Sequence, residues 1–260
     1  MARKDFTTRL PAPFLKRVAF AQDKAPGTKD YPFNLPWLVP GFELEFDAPV
    51  TIIVGENGTG KSTFIEAIAA LSGYDEAGGG KGQRPVDHSH ALDTSGAALS
   101  DALKAAWLPK ITNGWFFRAE SFFSVARYLD EVAREVGARG PDFLSHSHGE
   151  GFLRFFDERL GRQGLYFFDE PESALSPRRQ LELLRLLAEI QSSARAQIIM
   201  ATHSPILMAV PGADLVQIGK DGFRRCELWE VAHFRLYRAF CEDPEGFVAS
   251  TLAHEEDLLF

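Results

Sequence analysis

The sequence predicts an α/β domain whose core is a mainly parallel sheet with helices on its faces. Two patterns carry that expectation. Val50-Thr51-Ile52-Ile53-Val54, Leu165-Tyr166-Phe167-Phe168 and Gln197-Ile198-Ile199-Met200-Ala201 are short runs rich in β-branched or aromatic residues, as in strands covered on both faces. Helical segments separate them, and this repeated strand, loop, helix order is how parallel strands are connected. A chain of 260 residues fits one large domain, and its 22 phenylalanines suit a buried sheet flanked by helices.

Taken in order, Phe14–Phe20 alternates weakly and reads as an opening strand. Asp23–Pro40 is rich in Pro, Gly and Asp and reads as an ordered loop holding Tyr31, Phe33 and Trp37. Phe42-Glu43-Leu44-Glu45-Phe46 alternates apolar and acidic residues, the mark of a half-exposed strand. Val50–Val54 leads into a glycine-rich turn and then a helix over Ser62–Leu71. Residues 73–93, with Gly78-Gly79-Gly80 and little apolar content, read as a flexible surface loop. Trp115–Arg118 is a further strand, and Ser121 caps a helix to about Val136. A second helix is expected over Gly149–Leu160, which gives a helical lobe at about 119–160 within a single domain spanning 1–260.

Ser176-Pro177 places a cap before a first-turn proline and opens a helix to about Ile190. Leu215–Ile218 and Phe223–Leu228 flank Lys220-Asp221-Gly222 as a hairpin, and two helices, Val231–Cys241 and Gly246–Leu252, complete the chain. Nothing repeats internally.

Composition narrows the partners. A net charge of -8 argues against a dedicated nucleic-acid coat, while leaving a local basic patch open. Two cysteines, Cys226 and Cys241, form no disulfide framework and read as core residues in a reducing cytoplasm. No apolar stretch approaches the roughly 20 residues that a membrane span needs, and Met1–Leu10 has no signal-peptide pattern. The alternating His88/His90 and His146/His148 pairs read as solvated loop residues rather than zinc ligands.

The chemistry is concentrated in two places. Gly55-Glu56-Asn57-Gly58-Thr59-Gly60-Lys61-Ser62-Thr63 fits the phosphate-loop pattern in full, between a strand and a helix. Glycines let backbone N–H groups turn toward phosphate oxygens, and the helix that follows adds its positive end. Lys61 is expected on the β- and γ-phosphates and Ser62 on Mg²⁺. The strand Leu165–Phe168 then ends in Asp169-Glu170, where Asp169 suits Mg²⁺ and Glu170 suits the attacking water. Together they predict nucleotide hydrolysis.

With Ser173-Ala174-Leu175-Ser176 after the acids, Thr202-His203-Ser204 after the next strand, and Ser147-His148-Gly149-Glu150 upstream, the sequence resembles the ATP-binding cassette ATPases. It looks closest to their soluble, single-domain bacterial members, often labelled AAA family. The resemblance runs from Tyr31-Pro32-Phe33-Asn34 to the C-terminal helices. It implies a P-loop NTPase fold of that type, with an antiparallel β part near the N-terminus and a small helical lobe.

The same resemblance implies ATP and Mg²⁺ as ligands and a homodimer that sandwiches nucleotide. Ser147 and Gly149 would bind the γ-phosphate held by the opposite subunit; His148 and Glu150 depart from the usual glycine and glutamine. Ser173–Ser176 would join the two sites, and His203 would sense the γ-phosphate. Glu120 is the nearest substitute for a metal-contacting glutamine that the chain lacks. Either Tyr31 or Phe33 would stack on adenine. Three outputs stay open: a switch acting on a macromolecular partner, a DNA-maintenance ATPase, or the nucleotide-binding subunit of a transporter. The stretch from Lys61 to Ser147 is too short for a long coiled-coil arm.

Overall fold

A computed structural model describes residues 10–28, 30–81, 95–119, 153 and 156–253. Strands β1 (Leu15–Phe20), β2 (Glu43–Glu45) and β5 (Leu103–Trp107) form a three-stranded antiparallel sheet in the order β2-β1-β5. The seven-stranded sheet comprises β3 (Val50–Val54), β4 (Gly79–Gly80), β6 (Gly114–Arg118), β7 (Leu165–Asp169), β8 (Gln197–Ala201), β9 (Asp214–Gly219) and β10 (Gly222–Arg225). Its order is β10-β9-β3-β8-β7-β6-β4, with the inner five strands parallel and both edge strands antiparallel. The expected architecture is therefore present, including the antiparallel part near the N-terminus.

Each face of the large sheet has its own apolar layer. Val50, Ile52 and Val54 of β3, Tyr166 and Phe168 of β7, and Ile198 and Met200 of β8 face one way. Helix α3 (Pro177–Ser193) covers them with Leu183, Leu187 and Ile190, one and two turns apart. Ser176 accepts a hydrogen bond from the backbone N–H of Arg179, with Pro177 at the first turn, as the sequence predicts.

Ile53, Phe167, Ile199 and Ala201 face the other way and meet helix α1 (Lys61–Ser72). That helix is buried almost all round because the small sheet, with Leu15, Val18 and Leu44, packs in the same layer. Helix α2 (Ser95–Asp101) packs on it as well. Past β8, α4 (Pro205–Met208) leads to the β9–β10 hairpin, then α5 (Ala232–Glu242) and α6 (Pro244–Ala253).

A buried side chain joins the two sheets. Gln197, at the start of β8, is fully buried. Its Oε1 accepts the backbone N–H groups of Phe14 at 2.8 Å and Leu15 at 2.7 Å, and its Nε2 donates to the Leu15 carbonyl at 2.9 Å. A buried amide satisfied three times in this way fixes where β1 begins relative to the parallel sheet.

The structure corrects several expectations. Residues 73–93 are not all surface loop. Tyr74 is buried with its hydroxyl donating to the Leu165 carbonyl, and Gly79–Gly80 pairs with β6. Glycine-rich sequence hid an edge strand, and 82–93 lie outside the described residues. Cys226 is only half-buried and Cys241 is exposed, because the hairpin end and α5 lie on the periphery. Helix α2 and strand β5 had no sequence counterpart. Most of the helical lobe at 119–160 lies outside the described residues, as do His88, His90, His146 and His148; residues 156–160 are helical.

Gln197→Leu would leave two buried N–H groups and one carbonyl without that partner, each worth about 1–3 kcal/mol. We expect a loss of about 3 kcal/mol or more in urea unfolding with little change in the denaturant slope. An unchanged midpoint would remove the amide from its joining role.

Candidate active site

Parallel pairing brings three strand ends to one edge. β8 lies between β3 and β7, in register Ile53↔Ala201 and Asp169↔Ala201. Asp169 closes β7, Glu170 and His203 follow β7 and β8, and Lys61 opens α1 after the loop that leaves β3. Crevices at the carboxyl edge of a parallel sheet are where such folds bind ligands.

The phosphate loop is held from outside. The Trp37 indole donates to the Thr59 carbonyl at 2.9 Å and is itself buried against Phe42, Phe64 and Phe223. Gly55 runs so close to β9 that a Cβ would lie 2.7 Å from the Ile218 carbonyl oxygen. Gly60 caps α1 with φ +89°, a left-handed conformation, and a Cβ there would press into Leu35. Lys61 is buried and its ammonium donates to the carbonyls of Gly55 and Glu56, both at 2.9 Å. Burial pushes the Lys61 pKa below its ordinary value, against the opposing pull of Glu170 and Asp169.

A cavity of about 450 Å³ opens over this loop, lined among others by Tyr31, Asn57, Gly58, Gly60, Lys61, Ser62, Thr63, Asp169 and Glu170. Tyr31 is half-exposed, and its hydroxyl is hydrogen-bonded to that of Thr63, whereas Phe33 packs on the apolar layer around α1. Of the two aromatics, Tyr31 is the one at the cavity. Gly55, Glu56 and Thr59 shape the loop: Thr59 closes it by donating through Oγ1 to the Glu56 carbonyl at 2.8 Å.

Glu170 stands on unusual backbone. Its φ is +47°, and its N–H donates to the Ala201 carbonyl at 3.0 Å, which ties it to the end of β8. Nε2 of His203 lies 3.8 Å from Glu170 Oε1, and among the described residues it has no hydrogen-bond partner. Burial, then Lys61, then His233 lower the His203 pKa from 6.5 to about 4, so the imidazole is neutral near pH 7. It lines a second cavity, together with Glu172, Gln180, Phe234 and Tyr237.

Sequence reasoning missed the groups that hold these residues. Arg118, at the end of β6 and in register with Asp169, pairs with Glu66 of α1 at 2.8 Å and approaches Asp169 at 3.8 Å. All three are buried, so the floor of the cavity is a charge cluster. Glu172 accepts the backbone N–H of His203 at 2.5 Å, and the Ser204 hydroxyl donates to Gln180 at 2.6 Å. Burial raises the Glu172 pKa. The positions of Glu66 and Gln180, each on a cavity-facing helix next to a motif, were the available signals.

Ser62 and Asp169 supply oxygen donors in one cavity, which suits a hard divalent cation such as Mg²⁺. Among the described residues no group of three or more His, Cys, Asp or Glu could hold a metal ion. A cation here would thus draw its remaining ligands from water and phosphate oxygens, as Mg²⁺ prefers. Glu120, Ser147 and Gly149 lie outside the described residues.

Two family models match the segments that carry this site. Residues 149–209, with Asp169, Glu170 and His203, match a family model described as "AAA domain, putative AbiEii toxin, Type IV TA system", and residues 39–102, with the phosphate loop, match one described as "AAA domain". The chain is 27% identical over 174 residues to the thiamine import ATP-binding protein ThiQ of Cereibacter sphaeroides, covering 59% of this chain and 70% of that protein. Among solved structures, cbiO1 of Clostridium perfringens, part of the ABC transporter complex cbiONQ, is 14% identical (92% of this chain, 99% of that one) with TM-score 0.48. The SMC head domain of Thermotoga maritima is 16% identical (83% and 100%) with TM-score 0.44.

Because the folded His203 pKa lies near 4 and its ordinary value is 6.5, the unfolded chain takes up a proton in that window that the folded chain does not. This group's share of stability is intact above pH 6.5 and is lost as pH falls toward 4. Denaturation midpoints measured from pH 7 to pH 4 should drop less steeply for His203→Asn than for the wild type. Parallel profiles would show that His203 is not held neutral.

Proposed function

We propose that this chain, two segments of which match AAA-domain models, is an ABC-type ATPase that hydrolyses ATP at the cavity between α1 and the end of β7. The observation that carries the reading is that one sheet edge gathers a buried lysine on a phosphate loop, a carboxylate pair, and a neutral histidine 3.8 Å from the second carboxylate.

In this mechanism Lys61 exchanges its two loop carbonyls for β- and γ-phosphate oxygens, joined by the N–H groups of Gly58, Gly60 and Ser62. Ser62 and Asp169 would hold Mg²⁺, which when bound would neutralise charge on the phosphates. Glu170 orients a water and takes its proton as the water oxygen bonds to the γ-phosphorus and the bond to the bridging oxygen breaks. The products are ADP and inorganic phosphate. Neutral His203 donates through its N–H to the γ-phosphate side of the transferring group, keeping Glu170 and the water in line. Tyr31, half-exposed beside the loop, would stack on the adenine, and Glu120 would add a contact to the metal.

Ser147 and Gly149 bind the γ-phosphate of a second copy, so that ATP joins two chains and hydrolysis releases them. The single domain, the cytoplasmic setting and an as yet unidentified macromolecular partner belong to the same proposal. No helix among the described residues is long and apolar enough to cross a membrane. A second reading, that the chain powers import through a separate channel protein, draws on its similarity to ThiQ.

Glu170→Gln should lower steady-state turnover by about 10²–10⁴-fold while ATP still binds, and should shift the protein to a dimer in Mg-ATP by size-exclusion with light scattering. A variant that turns over like the wild type, or stays monomeric at saturating Mg-ATP, counts against hydrolysis or dimerisation respectively. Lys61→Ala should abolish saturable binding of a fluorescent ATP analogue; retained affinity would move the nucleotide elsewhere. Turnover stimulated by DNA or by membranes would select the corresponding output.

A further inference from the structure

The restraints on His203 divide into two kinds. Glu172 holds its backbone N–H and Gln180 holds the next residue, Ser204, but neither bonds to the imidazole. The ring is instead faced by an aromatic from another element. The His233 ring, in the first turn of α5, has its centroid 5.0 Å from that of His203 at an interplanar angle of 53°. One turn further on, Tyr237 stacks on His233 from behind, at 5.9 Å and 27°. The His233 ring thus contacts both His203 and Tyr237.

Helix α5 is otherwise lightly attached. None of its residues is fully buried, and only His233 and Phe234 are even half-buried, while Leu236, Tyr237 and Phe240 are exposed. Its anchoring turn is thus the turn that meets the histidine. A neutral His203 can lie against a second imidazole without contributing like-charge repulsion.

We propose that His233 is a positioning residue for the ATPase reaction: its ring, backed by Tyr237, keeps the His203 imidazole turned toward Glu170. His233 touches neither nucleotide nor water and acts only through His203. Ring pairs of this kind contribute enough to hold one rotamer over another, so releasing the pair costs about three- to tenfold in rate.

The inference rests on the hydrolysis reading, and the test separates the two. Steady-state kcat and KM for ATP, together with the ring proton NMR signals of His203, are measured in wild type, His233→Ala and His233→Phe. Expected for His233→Ala is a kcat about three- to tenfold lower at unchanged KM, with displaced His203 signals. His233→Phe, which keeps a ring, should restore both toward wild type. A structural role alone would lower the melting temperature without splitting kcat from KM, and would not be rescued by the ring. Wild-type kcat in His233→Ala, or unmoved His203 signals, overturns the positioning role. A wild type without turnover overturns the hydrolysis reading, and the NMR signals then still decide whether His233 orders His203.

Discussion

Everything at the active edge depends on β8 being paired on both sides. Its ladder to β3 and β7 does not stop at the last strand residue. The Thr202 N–H donates to the Ile53 carbonyl at 3.2 Å, and the Ala201 carbonyl accepts from Glu170. The backbone that carries the histidine is thus tied to the strand feeding the phosphate loop, and its neighbour is tied to the residue bearing the second carboxylate. Relative positions of the three chemical groups are set by main-chain hydrogen bonds, which do not depend on side-chain rotamers. Side chains such as Glu172 and Gln180 then refine what the ladder has placed.

The second organising term is charge. Lys61, Arg118, Glu66 and Asp169 are all buried around one cavity, an arrangement that is costly unless each group is paired. Lys61 meets this by bonding to its own loop, and Glu66 and Asp169 meet it through Arg118. The cluster gives the site a fixed architecture before any ligand arrives. An anion such as phosphate entering this cavity would meet a cation already held along the loop, so the cost of ordering it would have been met in folding.

Much of this was legible because the chemistry demands residue types in short, local patterns. The phosphate loop, Asp169-Glu170 and His203 each sit in one uninterrupted motif, and buried strands announce themselves by unbroken apolar runs. What stayed hidden was nonlocal. Gln197 reads as an ordinary polar residue at a strand start, and only the fold brings Phe14 and Leu15 to it. Arg118 and Glu66 look like a strand end and a helix position until β6 and β7 pair. Strand β5, Leu-Lys-Ala-Ala-Trp, has no alternation of its own and exists because β1 offers an edge. Gly79–Gly80 forms a strand by backbone pairing alone, with no side chain to signal it.

The left-handed backbone of Glu170 has a consequence for how this protein could be improved. Glutamate tolerates that conformation poorly, while glycine or asparagine adopts it readily. A screen that rewards only thermal stability would therefore be drawn to the very position to which the proposed mechanism assigns the water, and on that proposal its gains there would be inactive. On the proposed mechanism, the strain at this residue is stability given up to keep a carboxylate at the sheet edge.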